Sequence, residues 1–170
     1  MPKTYPDGWR EIVSIGDSVE GTNFIPFKVP YRRPWTLWTL KRRKPEVKFI
    51  IDMCGSSKYY TPSECAAAGI THRKIEMQPD RRGVPAENYV QEFFQAVQEA
   101  EDILEEGELV GVHCTRGLNR TGYRICRWMI DRAGVSPEVA IEAFNEARGH
   151  DMDRDNYLAD LQMRAAAGDN

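Results

Sequence analysis

The segment His113-Cys114-Thr115-Arg116-Gly117-Leu118-Asn119-Arg120-Thr121-Gly122 constrains this chain more than any other. An apolar run, Leu109-Val110-Gly111-Val112, leads into it, and an amphipathic run from Tyr123 to Ile130 follows. That order predicts a strand, a tight loop and a helix, with a thiol at the loop's mouth. Successive backbone N–H groups in such a loop form an anion-binding nest, and the helix that follows adds its positive N-terminal end. Gly117 and Gly122 allow backbone angles and close approaches that a side chain would block. The same field acts on Cys114, whose thiol would otherwise titrate at about 8.5, and favours the thiolate. Arg120 offers a planar fork for two phosphate oxygens, and Thr121 a hydroxyl for the thiolate or for a later step. The chemistry implied is in-line attack of Cys114 on phosphorus, a phosphocysteine, and its hydrolysis by water. A buried small cysteine beside a satisfied histidine is the plainer alternative, but it leaves Gly117, Arg120, Thr121 and Gly122 unexplained. A Walker-type nucleotide loop is excluded, because no Gly-Lys-Ser/Thr follows.

Around this segment, strand and helix patterns alternate. Phe24 to Val29 reads as a strand, and Pro34 opens a helix through Trp38 to about Arg43. Val47 to Met53 reads as a buried strand. Thr61-Pro62-Ser63-Glu64 is a capping box, so a short helix runs to Ala68 and stops at Gly69. Arg73 to Met77 is a strand. Pro85 opens a long helix closing at Gly107, with Val90, Phe93, Phe94, Val97 and Leu104 on one face. Glu108 to Cys114 is the strand that delivers the thiol, and Arg120 to Ala133 the helix that Gly134 ends. Ser136-Pro137 starts a helix ending at Gly149, and a last helix includes Tyr157, Leu158 and Leu161. The alternation predicts an α/β fold with a mixed, largely parallel sheet covered by helices on both faces, and a site at a strand's carboxyl end.

The length of 170 residues suits a single domain, residues 1–170, with 41% hydrophobic and 29% charged residues. No apolar run approaches the roughly 20 residues of a membrane span. The start, Met1 to Asp7, has no apolar core of a secretory signal, so an intracellular protein, nuclear or cytoplasmic and not secreted, is expected. The four cysteines, Cys54, Cys65, Cys114 and Cys126, have no metal spacing and fit reduced thiols. Net charge is −3, yet residues 31–48 carry Arg32, Arg33, Lys41, Arg42, Arg43, Lys44 and Lys48 around Trp35 and Trp38. Such a segment can hold RNA by stacking and phosphate contacts; the alternative, which we favour, buries both tryptophans in the core.

The decapeptide resembles the HCxxGxxRTG signature of cysteine-dependent phosphatases. The form HCTRGLNRTGY is most similar to the branch acting on RNA 5′ ends: triphosphatase domains of metazoan capping enzymes and the stand-alone RNA/ribonucleoprotein-interacting phosphatases. That branch usually reads HCTHGxNRTG, so Arg116 replaces a histidine and adds charge at the lip. Gly21 to Pro30 resembles the branch's GTxFIxFKxP entry segment. Ile50-Ile51-Asp52-Met53 with Lys58-Tyr59-Tyr60 resembles its IDLT…RYY segment. Cys126-Arg127, Phe144-Asn145, Arg148-Gly149-His150 and Arg154-Asp155-Asn156-Tyr157 match its helical end. The resemblance implies a single cysteine-phosphatase domain that strips γ and then β phosphate from 5′-triphosphorylated RNA. It also implies placement in RNA-processing or small-RNA protein complexes. A monomer without cofactor, metal or membrane association is expected.

Phosphate contacts are then expected from Thr115, Arg116, Gly117, Leu118, Asn119 and Arg120, with Cys114 and Arg120 catalytic and Thr121 supporting. The resemblance adds Arg154 as a second phosphate contact, against a solvated surface charge. It gives Asp52 an auxiliary role, against a strand-end cap. His113 is expected to bond the loop backbone and tune Cys114. Asp80, in Gln78-Pro79-Asp80-Arg81-Arg82-Gly83, stands where phosphotyrosine phosphatases place a general acid; a surface turn is the alternative, with Arg81 and Arg82 guiding the RNA end. An acid matters for a phenolate, whose conjugate acid titrates at about 10, and little for a phosphate leaving group, which titrates at about 6. His72 and His150 suggest no metal site. Two rival functions remain: a dual-specificity protein phosphatase, which needs a working acid, and a non-catalytic reader of phosphorylated ends.

Overall fold

The computed structural model describes residues 4–167; Met1, Pro2 and Lys3, at the head of the stretch read for a leader, lie outside them. The elements run β1 (Phe24–Phe27), α1 (Leu37–Arg43), β2 (Val47–Asp52), α2 (Pro62–Ala67), β3 (Thr71–Lys74), α3 (Glu87–Ile103), β4 (Leu109–His113), α4 (Asn119–Ala133), α5 (Pro137–Arg148) and α6 (Asp155–Gln162). The sheet order is β1-β4-β2-β3, and every strand pair is parallel. The one antiparallel contact among the described residues is an isolated bridge between Ile15 and Phe27.

Strand alternation, interrupted once by a register shift between Val47 and Phe49, explains the two-sided burial. Phe24, Phe49, Ile51, Val110 and Val112 face a core with Phe93 of α3, Ile125 of α4, Phe144 of α5 and Leu161 of α6. Ile25, Phe27, Val47 and Ile50 face the other core, with Trp9, Trp35, Leu37 and Leu40 of α1, and Cys65 of α2. Helices therefore cover both faces, the α/β architecture expected of the pattern.

Three elements, β3, α1 and α3, depart furthest from expectation at one end. The strand expected at Arg73 to Met77 lies at Thr71–Lys74, because Lys74 already pairs with Asp52, the last residue of β2. Ile75 closes that ladder with one more bond to the Asp52 carbonyl, 2.9 Å, and the chain then leaves toward the cradle. Helix α1 begins at Leu37, not Pro34: Pro34 follows a cis peptide in a turn, and the Thr36 hydroxyl caps the helix on Thr39. Helix α3 stops at Ile103, where Leu104 turns extended, before Gly107. The expectation that both tryptophans are core holds for Trp35, fully buried with its indole N–H donating to the Lys28 carbonyl at 2.7 Å. It fails for Trp38, which is 51% exposed. With Leu37 and Leu40 turned to the sheet, helical spacing sends Trp38 outward, where Lys41 lies 5.5 Å from its ring.

Candidate active site

Strand β4 ends at His113 in the middle of the sheet, between β1 and β2. Cys114 follows it at the carboxyl edge, loop 115–118 curls over, and α4 starts at Asn119. The loop encloses a cavity of about 170 Å³. Its walls are Cys114, Thr115, Arg116, Leu118, Asn119 and Arg120 from the loop, with Asp7 and Arg154 from outside it.

The loop's carbonyls are all held from behind. The Val29 N–H donates to Thr115 O at 3.0 Å and the Gly122 N–H to Leu118 O at 2.7 Å. The buried Arg148 donates to Gly117 O at 2.9 Å and to Arg116 O at 2.8 Å. In a trans peptide the N–H points opposite to the C=O, so the amides of Arg116, Gly117, Leu118 and Asn119 turn toward the cavity. Gly117 has φ +67, and a side chain there would collide with the Phe27 carbonyl. At Gly122 a Cβ would come within 2.5 Å of Met152 Sδ and 2.7 Å of Phe144. Both glycines of the motif thus serve close packing, and Gly117 also the left-handed turn.

Cys114 is 3% exposed. Burial, the largest influence, pushes its thiol up; the Arg120 charge, the Thr121 hydroxyl and the Thr121 and Leu118 amides outweigh it and bring the pKa down to about 7. The Thr121 hydroxyl donates to Cys114 Sγ at 3.2 Å. The other thiols go the opposite way: burial pushes Cys54 and Cys65 up to about 12 and Cys126 higher still. Arg120 Nη2 donates to Thr115 Oγ1 at 3.1 Å, which parks the guanidinium at the cavity edge.

Beneath the thiol lies a buried polar cluster. His113 Nδ1 meets the Cys114 carbonyl at 2.9 Å, which makes Nδ1 the protonated nitrogen. Burial lowers the His113 pKa, and its Nε2 lies 2.6 Å from the Tyr60 hydroxyl. Asp52 collects the Cys54 N–H at 2.9 Å, His72 Nε2 at 2.9 Å, the Tyr60 hydroxyl at 3.2 Å and Lys74 Nζ at 3.4 Å. Burial opposes ionisation of Asp52, but His113, His72, the Cys54 amide and Lys74 hold its carboxyl far below the usual carboxylate range. Asp52 is therefore both the strand-end cap and the hub under the loop. The donor atoms of Asp52, Cys54 and His113 lie within 4.8 Å of one another. They do not fit a cation, because Lys74 already neutralises Asp52 and the Cys114 carbonyl holds His113 Nδ1.

The family profile described as the dual specificity phosphatase catalytic domain matches residues 39–165. A tyrosine-protein phosphatase of Autographa californica nuclear polyhedrosis virus is 36% identical over 92% of this chain and 98% of its own. The chain belongs to the dual-specificity phosphatases. A Caenorhabditis elegans homologue of RNA/RNP complex-1-interacting phosphatase is also 36% identical, over 94% of this chain and 75% of its own. The human RNA/RNP complex-1-interacting phosphatase is 36% identical over 92% of this chain, which spans 51% of that protein. Among solved structures, PTPMT1 superposes with a TM-score of 0.67 at 22% identity, covering 87% of this chain and 91% of that one. Tk-PTP in its active form gives 0.66 at 18% identity, covering 88% and 97%. Both share the fold.

On this phosphatase framework the outer residues sort by what holds them. Arg154 lines the cavity, with Nη1 donating to the Tyr157 hydroxyl at 2.8 Å and to the Arg81 carbonyl at 3.1 Å. Asn119 spends its side chain on the segment that carries Arg154: its oxygen accepts the Asp153 and Arg154 amides at 3.0 and 3.1 Å, and its nitrogen donates to Asp153 at 2.7 Å. That leaves its backbone amide, not its side chain, for a phosphate. The Arg116 side chain lies over Gly8 at the cavity lip. Asp80 is exposed, is not part of the cavity wall, and accepts the Arg82 and Gly83 amides of its own turn at 3.2 and 3.1 Å. Arg81 reaches back over Gly55.

Several site residues escaped the sequence. Arg148, within a segment matched to the family, gave no sign that it buttresses the loop. Tyr60 likewise read only as part of a matched segment. Asp7 precedes the loop by most of a domain, and its Asp-Gly context reads as a turn. Among the described residues no helix is long and apolar enough to cross a membrane.

Proposed function

We propose that this dual-specificity phosphatase is an RNA 5′-tri- and diphosphatase that leaves a 5′-monophosphate. The observation that carries the reading is the charge around the cavity: Arg116, Arg120 and Arg154 all line it. One guanidinium suffices for a transferred phosphoryl group, and the other two suit the further phosphates of a polyphosphate chain. In the first step the Cys114 thiolate attacks the γ phosphorus. The S–P bond forms, the bond from phosphorus to the bridging oxygen breaks, and the RNA leaves as a diphosphate. Arg120 and the amides from Thr115 through Arg120 stabilise the equatorial oxygens. Water then breaks the S–P bond, releasing phosphate and regenerating the thiolate, and a second round removes the β phosphate. Thr121 holds the thiolate, while His113 and Asp52 fix the Cys114 carbonyl from below. The leaving phosphate needs no proton, consistent with an Asp80 held in its own turn. The names of the nematode and human relatives support an RNA substrate, and RNA-processing or small-RNA complexes are part of the same proposal as its setting.

The viral relative's name favours a second reading, a protein-tyrosine phosphatase. Incubation with γ- and β-labelled triphosphorylated RNA in chelator, beside a phosphotyrosine peptide, separates them. Release of both labels with slower peptide turnover is the expected result; peptide turnover without label release would overturn the assignment.

A further inference from the structure

The mechanism leaves unused an aromatic and cationic shelf beside the cavity. Trp9 anchors it from the core, its indole N–H donating to the Val29 carbonyl at 2.8 Å. Tyr5 stacks on Trp9 with centroids 5.4 Å apart, Tyr31 meets Trp9 edge-on at 6.2 Å, and Tyr59 meets Tyr31 edge-on at 4.8 Å. All three tyrosines are half-buried, so each keeps surface for a partner. The Arg10 guanidinium lies 4.8 Å over Tyr5, and that of Arg32 lies 4.4 Å over Tyr31. Arginine planes on rings offer both a stacking face and a charge.

The shelf is continuous with the cradle. Asp7 lines both the Cys114 cavity and a hollow of about 400 Å³ bordered by Tyr5 and Arg10. Gly8 lies under Arg116, and the Arg120 charge is felt by the Tyr59 phenol, opposing the rise that burial causes. The hollow also carries Asp7 and Glu11, so it suits a base and its sugar better than a run of phosphates. An acidic phosphopeptide would meet those carboxylates too.

We propose that Tyr5, Tyr31 and Tyr59, with Arg10 and Arg32, form a subsite that stacks the first nucleotides of a single-stranded RNA whose 5′ phosphates occupy the cradle. This rests on the RNA 5′-phosphatase reading and adds to it a grip on the bases. Aromatic and guanidinium stacking tolerates any base, so the subsite predicts little sequence preference.

The test is the ratio of kcat/KM on a triphosphorylated oligonucleotide to kcat/KM on inorganic tripolyphosphate, which has no base. Arg10→Gln with Arg32→Gln, and separately Tyr31→Ser, should each lower that ratio about tenfold, mainly through the KM for RNA. A general loss of folded enzyme lowers both kcat/KM values equally and leaves their ratio unchanged, so partial unfolding cannot mimic the effect. An unchanged ratio in the double variant, with wild-type enzyme active on RNA, overturns the subsite alone. Wild-type enzyme inert on RNA overturns the underlying reading and the subsite with it. Loss confined to a phosphotyrosine peptide would assign the shelf to protein substrates and likewise overturn the proposal.

Discussion

Thr121→Val is a narrow perturbation of the thiol. Valine keeps the branched shape in a site with no exposed surface and removes one group, the hydroxyl that donates to Cys114 Sγ at 3.2 Å. Hydrogen bonds to charged acceptors contribute about 1.5–3 kcal/mol; sulfur is large and diffuse, so the low end applies. A loss of about 1.4 kcal/mol that falls on the thiolate alone is about one pKa unit. The Cys114 thiol, at about 7 in the wild type, should move to about 8. At about pH 6.5 the thiolate fraction then falls roughly eightfold, while well above pH 9 it hardly changes. The assay is the pH dependence of Cys114 alkylation by iodoacetamide, followed by mass of the modified peptide, beside kcat/KM over the same range. Both acid limbs should shift upward together. An alkylation midpoint within about 0.3 units of wild type would refute the claim that Thr121 holds the thiolate.

Other consequences follow from the same contacts. Arg148→Met removes three bonds to carbonyls, those of Val13, Arg116 and Gly117, and should cost about 3–5 kcal/mol of stability together with most oxyanion affinity, read by urea denaturation and vanadate binding. Arg148→Lys should not restore it, because an ammonium cannot span the two loop carbonyls; full recovery would contradict the buttress. Asp80→Asn should change kcat/KM on triphosphorylated RNA by less than about twofold, and large equal losses on RNA and on an aryl phosphate would show that it works as an acid. Asp52 has its folded pKa below the unfolded value of about 3.9, so its stabilisation is complete above that value and is lost as pH falls below it. Asp52→Asn should therefore cost about 2 kcal/mol near neutrality and flatten the acid side of the stability profile, measured by denaturation at stepped pH; an unchanged acid slope would refute the hub.

What the sequence disclosed depended on how local each contact is. Cys114, Arg120 and Thr121 lie within one loop and one helical turn, so their spacing alone brought them together. The capping box at Thr61 is equally local, and α2 starts where it should. The unbroken apolar run Phe49-Ile50-Ile51 marked a buried strand. Arg148, Asp7 and Tyr60 reach the loop from remote segments, and no local pattern encodes that. Asp80 stood out by its distance from Cys114, and its carboxylate accepts the amides of its own turn, as the surface-turn alternative has it. Trp35 and Trp38 differ because the first caps the turn before α1 and the second rides its outer side; moving the helix start from Pro34 to Leu37 decides the matter.

The proposed reaction passes through a phosphocysteine at Cys114 formed from an RNA 5′ end. Enzyme mixed with γ-labelled triphosphorylated RNA and quenched in denaturant within one turnover should carry label on the Cys114 peptide. Cys114→Ser should bind the same RNA, carry no such label and release no phosphate. Label release at the wild-type rate from Cys114→Ser, or wild-type turnover with no labelled Cys114 peptide at any quench time, would contradict the account.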